Sequence, residues 1–144
     1  MTTFKIMSKL KLIIITPKKI ALEKEIAGVT LPSSEGEMTI LPRHTNLFAL
    51  LEEGVVHYWA QDEDEYLAIG GGYAETDGET VRLLVSRAYG QSAIDEEQTQ
   101  KALAEAQERM KTAKSEDARS EISSLLRRSL VDVKLLKKKR RQQA

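Results

Sequence analysis

Tyr73-Ala74-Glu75-Thr76 and Glu79-Thr80-Val81-Arg82-Leu83-Leu84-Val85, either side of Asp77-Gly78, decide the fold class of this chain. Asp-Gly between two strand-like runs is a hairpin signal, because a type I′ turn needs positive φ at both central positions. Working outward, Val55–Trp59 and Glu65–Ile69 read as a second hairpin across Gln61-Asp62-Glu63-Asp64. Val29–Leu31 and Met38–Leu41 read as short strands around Pro32-Ser33-Ser34-Glu35-Gly36. Lys9–Ile15 begins with alternation and becomes fully apolar, as a strand passing from half-exposed to buried does, and Pro17 closes it. Short strands with turns between them predict a sandwich or barrel.

Past residue 93 the composition changes. All 8 glycines and all 3 prolines lie in residues 1–93. The first part carries nine basic and thirteen acidic residues and the second thirteen basic and nine acidic, which the zero net charge of the whole conceals. Residues 94–144 read as helical. Asp95 is a candidate N-cap with Gln98 completing a capping box, and Ala102, Leu103, Ala106, Met110 and Ala113 recur at helical spacing. Ser115 is a second N-cap, with Glu116 and Asp117 in the first turn where the helix dipole favours them. Ala118, Ile122, Leu125, Leu126, Ser129, Val133 and Leu136 form the second stripe. The reading is therefore an α+β chain in two parts: a β-sandwich over 1–93 and an antiparallel helical hairpin over 94–144, turning near Thr112–Ser115. The turn has no Gly or Pro, so one continuous helix competes with it.

The inventory excludes most chemistry. The 144 residues include no cysteine, hence no thiol nucleophile, thiolate metal site or disulfide. Two histidines, His44 and His57, do not make a metal centre alone. There is no P-loop, no His-Glu-x-x-His and no Gly-x-Ser-x-Gly, so no catalytic residue, metal or cofactor is assigned. Gly70-Gly71-Gly72 lacks the Lys-Ser/Thr of a phosphate loop and reads as a bulge or close backbone approach within a strand. The longest apolar runs fall far short of the ~20 residues of a membrane span, and no signal peptide is legible. The expectation is a soluble, cytoplasmic chain. The basic tail Lys137–Arg141 is either a solvated helix end or a dock for an acidic surface; a free nucleic-acid-binding module is the alternative reading, although no aromatic follows Tyr89.

The chain resembles the ε subunits of rotary F-type ATP synthases. The resemblance is carried by Ile14-Ile15-Thr16-Pro17, Leu31-Pro32-Ser33-Ser34-Glu35-Gly36-Glu37 through Leu41-Pro42-Arg43-His44, Leu50–Val56, Tyr66–Glu75 and Ile94-Asp95-Glu96-Glu97. It implies a non-catalytic subunit of the central rotor stalk of a proton-translocating enzyme, with an N-terminal sandwich and a C-terminal helical hairpin. The implied partners are the γ subunit, the c-subunit ring and the α/β catalytic head, with no nucleic acid. The implied place is the cytoplasmic face of the energy-transducing membrane, reached only through the complex. Glu35, Gly36, Glu37, Arg43 and His44 are the implied ring and stalk contacts, expected at one end of the sandwich. The helices are implied to restrain ATP hydrolysis, with Lys134, Lys137, Lys138, Lys139, Arg140 and Arg141 reaching the head. Of the family's ATP-binding Ile/Leu-Asp-x-x-Arg-Ala, Ile94 and Asp95 match, with Asp95 the implied ATP-site residue, but Gln98 and Thr99 replace Arg-Ala and remove the donor fork that suits phosphate.

Overall fold

A computed structural model describes residues 9–61 and 63–143, with side chains to Lys138. The chain divides into two compact units between Tyr89 and Gly90. The first holds the strands β1 (Leu10–Ile15), β2 (Ile20–Ile26), β3 (Gly28–Ser33), β4 (Gly36–Ile40), β5 (Leu47–Leu51), β6 (Gly54–Ala60), β7 (Glu63–Ile69), β8 (Gly72–Thr76), β9 (Thr80–Val85) and β10 (Ala88–Tyr89).

Two ladders form. One runs β2-β1-β9-β8-β5 and the other β4-β3-β6-β7-β10, and Ser33 in β3 pairing with Leu51 in β5 joins them. All these pairings are antiparallel except β1 with β9, which is parallel. Period-two patterning sends one face of each ladder inward: Leu10, Leu12 and Ile14 from β1, Val81, Leu83 and Val85 from β9, Val29 and Leu31 from β3, Val56 and Tyr58 from β6. These are the buried core of the sandwich, and burial raises the Tyr58 phenol above its ordinary pKa, helped by the nearby Glu65 charge.

Three strands have no counterpart in the sequence reading. β2, Ile-Ala-Leu-Glu-Lys-Glu-Ile, is built largely of good helix formers. It is a strand because Thr16 and Lys19 close a turn, Thr16 N–H donating to Lys19 O at 2.9 Å, and register it against β1. β5 is an apolar run with weak alternation, and β10 is two residues long.

The Asp-Gly hairpin forms one residue out of the expected register. Thr76 opposes Val81, so the central turn residues are Gly78 and Glu79, and only Gly78 has positive φ, at 93°. Glycine in the first central position is the type II′ pattern rather than type I′. Asp77 lies before the turn and uses its carboxylate instead, accepting from Glu79 N and Thr80 N, both at 2.9 Å. Gly36 has the positive φ expected of it, 114°. Gly70 and Gly71 connect β7 to β8 and are no strand bulge, but the close approach is present: a Cβ on Gly72 would lie 2.0 Å from Leu84 O.

The second unit holds a 3-10 turn, Gln91–Ala93, then helices α1 (Glu96–Thr112) and α2 (Glu116–Gln143). Asp95 Oδ1 accepts from Gln98 N at 3.0 Å and Ser115 Oγ from Ala118 N at 3.1 Å, so both expected N-caps form. The break falls at Ala113, whose ψ of 124° is extended. Buried positions are Thr99 and Ala106 on α1 and Ile122, Ser129 and Leu135 on α2. Leu125 is partly exposed, and the deeply buried distal leucine is Leu135 rather than Leu136, on the side where the 3-10 turn meets α2.

Candidate functional site

The expected contact residues do not share one end of the sandwich. β4 runs without reversal from Gly36 to Ile40, antiparallel to β3. Glu35, Gly36 and Glu37 therefore stand at its start and Arg43 and His44 beyond its finish, about 17 Å apart along five residues of strand. The single-end placement is corrected on that ground.

The first end is built around the β3–β4 turn. Ser33 Oγ donates to Gly36 O at 2.5 Å and accepts from Glu35 N at 3.2 Å, while Ser34 N–H donates to Leu50 O at 3.0 Å. Glu35, Gly36 and Glu37 are all exposed. Beside them Glu52 N–H donates to Pro32 O, Gly70 N–H to Arg87 O and Ser86 N–H to Gly71 O. Arg87 pairs with Glu53 across this end, and its Nε is buried without a hydrogen-bond partner.

The opposite end carries the loop between β4 and β5. Arg43 has φ of 67°, and its N–H donates to Gly78 O at 2.8 Å, which fastens the loop to the β8–β9 turn. His44 N–H donates to Leu41 O at 3.2 Å and its Nδ1 lies 2.9 Å from Thr45 O. Arg43 is exposed and His44 half-buried. The turn's Asp77 carboxyl is held below the usual carboxylate range by the backbone N–H groups of Thr80 and Glu79.

A third feature escaped the sequence reading. On the outer face of the first ladder, Leu50, Tyr73, Leu84, Ile15 and Ile20 follow one another across five neighbouring strands in matched register. Phe48 adjoins the row and stacks on Tyr73 with ring centroids 5.0 Å apart. Phe48, Leu50 and Ile20 are 61, 60 and 59% exposed. Apolar outward positions in register make a continuous patch, which marks a site of protein contact more often than isolated surface leucines do. Its signal was one apolar residue at the matched outward position of each of the five strands, visible only once β2 and β5 are known to be strands.

The outer face of the second ladder holds His57, stacked on Tyr66 at 4.5 Å and with Nε2 2.6 Å from Asp64 Oδ1. Among the described residues no group of acidic and histidine side chains is arranged to hold a metal ion. On α2, Lys134 and Lys137 are exposed and Lys138 is half-buried, while the side chains of Lys139, Arg140 and Arg141 lie outside the described residues. Asp95 is engaged as the cap of α1.

Residues 9–91 match the family model described as ATP synthase, Delta/Epsilon chain, beta-sandwich domain. The ATP synthase epsilon chain of Herpetosiphon aurantiacus is 34% identical over 136 residues, covering 93% of this chain and 98% of that one. The epsilon chain of a Sulfurovum species is 39% identical over 110 residues, covering 76% and 85%. A chain in the Euglena gracilis mitochondrial ATP synthase structure (OSCP/F1/c-ring) superposes with a TM-score of 0.80 over 88% of this chain and 80% of that one; at 22% identity this likeness concerns the fold.

Proposed function

Because this chain belongs to the ATP synthase delta/epsilon family, as a non-catalytic subunit of the rotor's central stalk, we propose that its sandwich couples the ring of c subunits to the γ subunit and that its helices restrain ATP hydrolysis. The observation that carries the coupling reading is the apolar row Leu50–Tyr73–Leu84–Ile15–Ile20. A subunit that transmits torque needs a stiff body and a broad contact. A two-layer sheet supplies the first, and an exposed apolar row across five strands supplies the second. In this reading the row lies on γ and the Glu35-Gly36-Glu37 turn meets the ring. Arg43 and His44, at the other end, face a different part of the stalk.

The hydrolysis reading rests on the hairpin. Its buried positions are Thr99 and Ala106 on α1 and Ile122, Ser129 and Leu135 on α2, so two polar residues and an alanine interrupt the apolar seam that holds the helices together. The basic residues of α2 suit an acidic surface on the catalytic head. No helix among the described residues is long and apolar enough to cross a membrane, and attachment at the cytoplasmic face is proposed to come through the ring and γ. Co-purification of a tagged chain tests the reading. It should bring γ and the c ring, and a chain ending at Tyr89 should bring them equally while leaving ATP hydrolysis faster. Failure of the full chain to retain γ would overturn the assignment of the row.

A further inference from the structure

We propose that Gln91 is a latch that holds the helical hairpin in its folded-back state. The proposal deepens the reading of the helices as a restraint on hydrolysis and rests on it for its biological meaning. Gln91 Nε2 donates to Leu135 O at 3.0 Å, a contact between residues 44 apart in sequence. Leu135 lies within α2, and its side chain is fully buried. A helical carbonyl carries two lone pairs, so Leu135 O can serve the helix and still accept the amide of Gln91.

The position of this bond gives it leverage. α1 has 17 residues and is about 25 Å long, whereas α2 has 28 and is about 42 Å. Counted back from the break at Ala113, Leu135 sits roughly 30 Å along α2, past the start of α1. At Leu135 α2 has therefore outrun the length of α1. What meets it there is the 3-10 turn that precedes α1, whose Gln91 side chain makes the bond. Separation of α2 from α1 has to break this contact, and a single continuous helix from Glu96 onward cannot contain it. The buried positions of the helices include Thr99, Ala106 and Ser129 beside Ile122, and the Gln91 bond is one directional contact that distinguishes folded-back from open. Gln91 is thus a positioning residue for α2.

The absence of native cysteine supplies a clean test. Ser129→Cys places one thiol at a buried α2 position, and its labelling rate under fast reclosure follows the open population. Gln91→Met keeps the length of the side chain and removes the donor; Gln91→Glu replaces the donor with a charged acceptor facing the carbonyl. Both should accelerate labelling roughly two- to tenfold, the range of one net hydrogen bond, while the sandwich melts unchanged. Spin labels at Glu97→Cys and Arg128→Cys identify the open state, because a continuous helix would hold them about 45 Å apart. Labelling rates equal to the parent in both variants overturn the latch. Acceleration by Gln91→Glu alone also overturns it, since charge and not the lost donor would then be responsible. If labelling accelerates in both while hydrolysis by the reassembled complex stays the same, the latch stands and the regulatory reading of the helices fails.

Discussion

Glu53, in the connection from β5 to β6, forms an ion pair with Arg87, in the connection from β9 to β10. Each connection leaves one ladder for the other, so the pair fastens the two layers at the end that carries the Glu35–Glu37 turn. Both side chains are largely shielded, and removing one leaves the other's charge without its partner. Glu53→Gln and Arg87→Ala should each lower the unfolding free energy by about 1–3 kcal/mol. Urea titration of the chain ending at Tyr89 measures this, and values within a few tenths of the parent would show that the pair is a surface contact.

Asp77 supplies a pH dependence of known sign. Its carboxyl is depressed below the ordinary value by hydrogen bonds from Thr80 and Glu79. A depressed carboxylate contributes stability that is present above its unfolded pKa of about 3.9 and is lost as pH falls through the lower folded value. Asp77→Asn should therefore lower stability at pH 7, where the carboxylate's contribution is fully present, and flatten the acid limb below about pH 4, where parent and variant converge. An acid limb identical to the parent's would assign the acid sensitivity to other carboxylates.

The sandwich was legible where alternation met a recognisable turn, as at Tyr73–Val85 and Val55–Ile69. Failures arose where tertiary pairing overrode local preference. Ala21, Leu22, Glu23 and Lys24 favour a helix, yet pairing with β1 makes them a strand. Because β2 and β5 were not recognised, the apolar row across the outer face was invisible, although every one of its residues is plain in the chain. The two helix caps were legible because Asp95 and Ser115 act within three residues of themselves. Gln91 was not, because its partner is 44 residues away. The register of Gly78 was missed because Asp77 serves as a side-chain acceptor rather than as a turn residue of positive φ.

Leu50→Glu tests the apolar row. The side chain is 60% exposed, so the folded chain should lose no more than about 0.5 kcal/mol of stability. Binding to γ should weaken by tenfold or more, since a carboxylate would be buried against an apolar partner. Titration of γ with the purified variant gives the answer, and unchanged affinity would move the contact to another face.

Replacement of Lys134, Lys137, Lys138, Lys139, Arg140 and Arg141 by Gln tests the tail. Exposed ion pairs are worth about 0–1 kcal/mol each, so their sum matters where any single one does not. ATP hydrolysis by the assembled enzyme should rise, most strongly at low ionic strength, and assembly should persist. Equal hydrolysis at low and high salt in parent and variant would reduce the tail to a solvated helix end.

The parallel pairing of β1 with β9 also sets a timetable for synthesis. Lys11 finds its partner at Thr80, roughly 70 residues later in the chain. At ribosomal speeds of 5–20 residues per second, β1 waits about 4–14 s for the strand that completes its ladder. Through that interval Leu10, Leu12 and Ile14, fully buried at the end, have only the β2 hairpin beside them. A nascent chain stalled before Thr80–Leu84 has left the ribosome should thus be a client for chaperones, and emergence of that segment should end the dependence.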